Sequence, residues 1–194
     1  MTIRRVLLPL IAVLLLSGCL LSGCLQVAMV PPQTPQAAAN LYTVHSVAAW
    51  NRITGLGPEV WTKDGLGLQE LRFYDATADG SPLYTRPDGK EMPKFSADMR
   101  ANDVADFFAA TLLASGLSVA ETSNLRPFRF AGKRGFRFDV SIVNESGARY
   151  RGEAFGAVIN KKLHLIVYFG HEEHYFEQSR EDVETMIKGL QLKA

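Results

Sequence analysis

The sequence predicts an α+β fold, a mostly antiparallel sheet with two helices packed on it. Three observations carry this. Phe136, Phe138, Val140 and Ile142 alternate with Arg137, Asp139 and Ser141, the period-two pattern of a strand buried on one face. That strand belongs to a run of strands and turns reaching Phe169. Two stretches of helical period, one mid-chain and one at the C-terminus, close the strand runs, an order that lays helices on a sheet.

The elements follow in chain order. Leu41 to Ala48 reads as a strand. Trp50 and Trp61 flank a loop containing Gly55, Gly57 and Pro58. Leu68 to Tyr74 is a second strand, with Leu71 and Phe73 on one face. Asp79-Gly80 signals a hairpin with a short strand at Leu83 to Thr85, and Arg86-Pro87-Asp88-Gly89 a turn. Val104, Phe107, Phe108, Thr111 and Leu112 make one face of a helix. Asn102 is its expected cap, and Gly116 stands where a left-handed residue ends it. Phe128 and Phe130 alternate with Arg129. After Phe136 to Ile142, the loop Asn144 to Gly147 leads into Tyr150 to Ile159, and Asn160-Lys161 into Leu163 to Phe169. Gly152 and Gly156 mark a bulge or a close backbone approach. The last helix buries Tyr175, Phe176, Val183, Met186, Ile187 and Leu190, and Ser179 with Asp182 forms a capping box if the helix restarts there.

One domain is the prior for 194 residues, and 47% hydrophobic with 21% charged residues is ordinary for a globular body. The formal net charge of +1 gives no basic excess of the kind a nucleic-acid binder carries. Both cysteines, Cys19 and Cys24, lie near the N-terminus. The body therefore has no internal disulfide, no thiol nucleophile and no cysteine-based zinc site.

The N-terminus has the layout of an export signal. Arg4 and Arg5 precede an uncharged apolar stretch from Val6 to Leu16, too short to span a bilayer, which takes about 20 residues. Leu16-Ser17-Gly18-Cys19 resembles the lipobox of bacterial lipoproteins, and Leu21-Ser22-Gly23-Cys24 repeats it. The resemblance implies a cysteine modified with diacylglycerol, cleavage just before it, and often acylation of the freed amine. Two or three chains, at about 0.8 kcal/mol per buried CH₂, hold durably where one does not. Cys24 is preferred because its apolar region is longer; Cys19 is the alternative. A third reading is an uncleaved helix from Val6 to Val30. The residue after the cysteine is Leu25 or Leu20, and the lack of aspartate there implies the outer membrane, facing the periplasm. The expected organisation is a signal peptide over 1–23, ending at 18 in the alternative, then a Pro/Ala/Gln tether over 24–40 and one domain over 41–194. A tether of that length spans tens of ångströms when extended, at about 3.1 Å per residue.

The body also resembles small PsbP-like lipoproteins. The features are an early tryptophan strand at Trp50, the helix face Val104 to Leu112, the meander Phe136 to Phe169, and a closing helix after Tyr175-Phe176. The resemblance implies a PsbP-like sandwich used for binding and assembly rather than catalysis, and it transfers no catalytic residue.

Chemistry-bearing motifs are few. The hydrolase elbow, the phosphate-binding loop and the dinucleotide fingerprint do not occur. His171-Glu172-Glu173-His174 falls one residue short of the zinc-protease spacing, and as an i, i+3 pair on a helix His171 and His174 are candidate metal ligands. The competing reading is a solvated helix start. Seven cations between Arg126 and Arg151 face only Asp139 and Glu145, while residues 171–194 hold six acids and three bases. Arg126, Arg129, Arg137, Arg149 and Arg151 are thus a candidate binding face for an anionic envelope component or an acidic protein, against the reading of a solvated face balanced by the last helix. The functional expectation is a membrane-anchored envelope lipoprotein with a non-enzymatic binding or assembly role and no cofactor. It touches the bilayer through its acylated cysteine. The alternative is a metal-dependent or glycan-acting enzyme using His171 and His174.

Overall fold

The alternation read in residues 136–142 extends through a long strand, and its neighbours build one large sheet around it. The computed structural model describes residues 25–55 and 57–193; Cys19, Cys24 and the remaining leader lie outside the described residues. The elements are β1 (Gln26–Val30), β2 (Gln36–Ala38), β3 (Tyr42–Val44), β4 (Trp50–Thr54), β5 (Glu59–Thr62), β6 (Gln69–Phe73), α1 (Ala101–Ala114), β7 (Val119–Phe130), β8 (Lys133–Val143), β9 (Arg149–Ile159), β10 (Lys162–His171), α2 (Tyr175–Lys188) and β11 (Gln191–Leu192). Eight strands pair in the order β1-β4-β5-β6-β10-β9-β8-β7, every neighbour antiparallel. A small sheet, β11-β3-β2, ties the C-terminus back to the start of the body.

Each face of the large sheet carries its own core. On one side α1 lays Val104, Phe107, Phe108 and Leu112 onto Phe136, Phe138, Val140, Leu165, Val167 and Phe169. On the other side α2 and the small sheet cover Trp50, Trp61, Phe73, Phe155, Ile166 and Tyr168. Central β10 is buried on both faces, so its alternate side chains belong to different cores. Fully burying one large apolar side chain is worth about 1.5–3 kcal/mol, and twelve of the largest are less than 2% exposed, which makes these two layers the main source of stability.

Several local expectations are corrected. The segment expected to be a tether is folded: β1 pairs with β4 over five residues, and β2 pairs with β3. Val30 and Ala38 are buried in the core, so the body begins at Gln26 rather than near Leu41. Strand β1 buries only Val30 and shows no apolar/polar alternation, so its composition does not mark it as a strand. Trp50 and Trp61 lie in β4 and β5, the strands on either side of Gly55, Gly57 and Pro58 as expected, and both are buried. Leu83 to Thr85 is not a strand; the segment is instead pinned by Gly80 N–H to Phe95 O at 2.8 Å and Phe95 N–H to Ser81 O at 2.9 Å. Helix α1 starts one residue before Asn102, and Asp103 accepts the Arg100 N–H at 2.9 Å. Gly116, at φ +103°, ends it as expected.

Gly152 and Gly156 resolve as close approaches, because β9 pairs without a register break on either side. A Cβ on Gly152 would stand 2.7 Å from the Phe169 ring. The sheet's irregularity lies instead in β7, between Ser123 and Arg126.

Helix α2 runs unbroken from Tyr175, so Ser179 and Asp182 are not a cap but buried side chains facing the sheet. Asp182 clasps the N-terminal part of the body. Its carboxylate accepts from Trp50 Nε1 at 3.0 Å, Val47 N at 3.2 Å and Ser46 Oγ at 3.3 Å, and it pairs with Lys63 Nζ at 3.1 Å.

His164 is buried in the α2-side core, its Nδ1 3.0 Å from the Tyr42 hydroxyl. Burial, with repulsion from Lys162 second, holds the imidazole below its ordinary value of 6.5. The unfolded chain therefore binds the proton more readily, and this contribution to stability falls as pH drops below about 6.5. The urea midpoint of the native protein should decline between pH 7.5 and 5.5 more steeply than that of His164→Phe. Parallel profiles would contradict this.

Candidate functional site

The predicted basic face is largely self-neutralised. By strand alternation Arg126, Arg137, Arg149 and Arg151 project toward the α2 side, while Arg129 projects to the other side with Arg134. Glu153, only 4% exposed at its side chain, sits among three of the guanidinium groups in this region. Its Oε1 lies 2.7 Å from Arg137, 3.4 Å from Arg180 and 3.6 Å from Arg126. Arg126 also pairs with Asp139 at 3.2 Å, and Arg151 with Glu177 at 2.9 Å. Arg137 reaches Glu184 at 3.3 Å and lies over the Phe155 and Phe128 rings at 5.1 and 5.7 Å. Burial raises the Glu184 carboxyl, but hydrogen bonds from Arg137 and Lys188 outweigh it and hold the group below its usual range. The two charge excesses of the sequence therefore meet here: basic strands receive the acids of the last helix. The exposed pairs each contribute little, whereas Arg137 and Glu153 are buried and each also reaches α2, through Glu184 and Arg180.

The histidine cluster does not share a helix. His171 ends β10 and His174 is the N-cap of α2, with a turn between them. The His171 ring packs edge-on to Tyr150 at 5.4 Å, and that of His174 to Tyr175 at 5.2 Å. The expectation of an i, i+3 pair on one helix face is thereby corrected. Among the described residues no group of three His, Cys, Asp or Glu side chains is placed to hold a metal ion.

A cleft missed by the sequence reading lies at the C-terminal end of α1, over β6 and β10. It encloses about 310 Å³ and is lined by Glu70, Arg72, Tyr84, Ser115, Tyr150 and Phe169 among others. A second hollow of about 500 Å³ continues from it over Ile53, Pro58, Val60 and Leu66, with Glu70, Arg72 and Tyr84 as the shared wall. The Glu70 carboxylate accepts from Arg72 Nε at 2.8 Å and from the Gly67 N–H at 2.8 Å. Arg72 lies over the Phe169 ring at 5.6 Å. Burial opposes its charge, but Tyr74 and Glu70 outweigh burial and hold the guanidinium firmly protonated. The Tyr84 hydroxyl is hydrogen-bonded to Ser115. Such a site has apolar walls around one fixed charged pair, the composition of a binding pocket. Its only signal in the sequence is a Glu-Leu-Arg-Phe strand beside Gly65 and Gly67.

No family model matches the chain, and no curated protein matches it. A solved structure does. The solution structure of cyanobacterial PsbP (CyanoP) from Synechocystis sp. PCC 6803 superposes with a TM-score of 0.53, covering 91% of this chain and 96% of its own. The fold is PsbP-like. At 14% identity the likeness concerns the fold alone. In this PsbP-like body the central sheet, the two helices and the closing aromatic segment at Tyr175-Phe176 stand where the sequence resemblance put them. No helix among the described residues is long and apolar enough to cross a membrane.

Proposed function

We propose that this chain is a lipid-anchored protein of the bacterial envelope that binds a partner or ligand in the Glu70–Arg72 cleft without transforming it. The cleft carries the reading. Its charged groups are paired with each other, Arg72 Nη2 standing 2.7 Å from Glu70 Oε2, and they are set among aromatic and aliphatic walls. A carboxylate held by a guanidinium and a backbone N–H is committed to positioning rather than to proton transfer. The PsbP-like resemblance of the sequence, which implies binding and assembly rather than catalysis, points the same way, and the observed fold agrees with it. The duplicated Leu-Ser-Gly-Cys supplies the anchor, at Cys24 or alternatively Cys19, and the leucine after either cysteine favours the outer membrane, periplasmic side.

Two measurements test this. The intact mass of protein extracted from membranes should show a chain starting at Cys24, or at Cys19 with five residues more, plus its acyl groups. An unmodified chain starting at Met1 would overturn the anchor. A photo-crosslinking residue at Leu117, which lines the cleft, should give a discrete adduct in the native envelope that Arg72→Leu weakens. The same label at Leu125, on β7 at the far edge of the sheet, should not. Equal adducts at both positions would refute the cleft as the binding site.

A further inference from the structure

The sheet has a half-face that neither core uses. One ladder row runs Val27, Ile53, Val60, Arg72, Val167, Ala154 and Phe138, each directly opposite the next. Helix α1 and its segment cover the row from Val167 onward. From Arg72 back to Val27 no helix lies on it among the described residues: Val27 is exposed, Ile53 and Val60 are half-buried along a hollow, and all three belong to neither core. The patch spreads beyond the row. Met29 shares the face of Val27 and is 72% exposed, Val27 itself 62%. Leu66, 50% exposed, shares a hollow with Ile53 and Val60, and Leu25, 46% exposed, leads into β1. Strand β1 is also an edge strand with no charge and no proline, and among the described residues no strand pairs with its outer side. A native sheet blunts or covers such an edge, because a bare apolar one invites aggregation.

We propose that a lipid surface is the cover: the bare half-face, with β1 foremost, lies in the headgroup layer of the bilayer that holds the anchor. The inference rests on the anchoring read above. What selects lipid is where the chain outside the described residues joins the fold. Cys24 precedes Gln26 by two residues, with only Leu25 between them. At about 3.3 Å per residue, acyl chains on Cys24 cannot enter a bilayer without bringing Val27 to within about 10 Å of the attachment point. Apolar side chains at that height sink into the boundary between headgroups and acyl chains, as the apolar face of an interfacial helix does. The uncharged composition of β1 fits that layer and would be a liability in water.

The experiment uses the lipidated full-length mature protein in phosphatidylethanolamine–phosphatidylglycerol vesicles that contain a spin-labelled quenching lipid. Three single variants report position: Met29→Trp, Leu66→Trp and Leu125→Trp. In vesicles that float with bound protein, the tryptophans at 29 and 66 should lose emission and shift to the blue, while the one at 125 should match the native protein. Flotation with equal quenching at all three sites would overturn the docking and leave the anchor standing. Protein that does not float, and lacks the acyl mass, would overturn the anchor and the docking with it. Unquenched Met29→Trp, together with crosslinks between β1 strands of two copies, would name a second copy as the cover and overturn the lipid. Met29→Lys in the Leu66→Trp background should reduce quenching at 66, since a charge on the patch resists burial in that layer.

Discussion

A chain beginning at Leu41 is expected to lose cooperative folding, although the sequence reading puts the domain boundary there. Removing residues 25–40 deletes β1 and β2, takes the buried Val30 and Ala38 out of the core, and leaves β4 as the sheet edge. It also strips β3 of one of its two neighbours. Val30 contributes about 1.5–3 kcal/mol by burial. With the uncovering of Trp50 and Tyr42, the loss reaches roughly 5 kcal/mol, at the low end of a domain's whole stability. Urea unfolding of residues 25–194 against 41–194 checks this. A shorter chain with an unchanged midpoint and slope would show that the two strands add nothing.

The second large effect is expected at Asp182. Replacing it with Ala removes the acceptor for Trp50 Nε1, Val47 N–H and Ser46 Oγ, and the partner of Lys63, in a place where the carboxylate side chain is 7% exposed. Leaving buried donors and a cation uncompensated costs about 3–5 kcal/mol. Asp182→Asn keeps the shape and one acceptor oxygen and should cost clearly less. The same unfolding measurement decides, and a loss in Asp182→Ala below about 1 kcal/mol would place the clasp among the negligible surface pairs.

These two predictions also mark what was legible. Strands β8, β9 and β10 and both helices were readable because each sets an apolar face against a polar or glycine-marked one, or runs apolar long enough to be a buried strand. Strand β1 was not, because four of its five residues are exposed and these include Val27 and Met29; an apolar residue facing outward erases the period on which the reading depends. In the sequence, Ser179 three residues before Asp182 reads as a capping box if the helix restarts there. Only the tertiary fold, which brings Trp50 and Lys63 to it from far along the chain, shows it as an anchor. The basic strands and the acidic helix were each visible. Their pairing was not, since sequence distance hides that Glu153 lies among Arg126, Arg137 and Arg180. The cleft was missed for a related reason. Glu70 and Arg72 share the same strand face, while Tyr84 and Ser115 reach them from a loop and a helix end.

Strand β10, buried on both faces, turns the body into a lever. Phe169 forms part of the cleft wall, and its neighbour Tyr168 points the opposite way, where its hydroxyl donates to the carbonyls of Tyr175 and Phe176 at 2.8 and 2.9 Å. One peptide bond thus separates the cleft wall from the residue that seats the first turn of α2. A strand packed on both sides has no soft direction in which to absorb a displacement. A displacement of Phe169 is therefore expected to be felt at the first turn of α2, on the opposite side of the sheet.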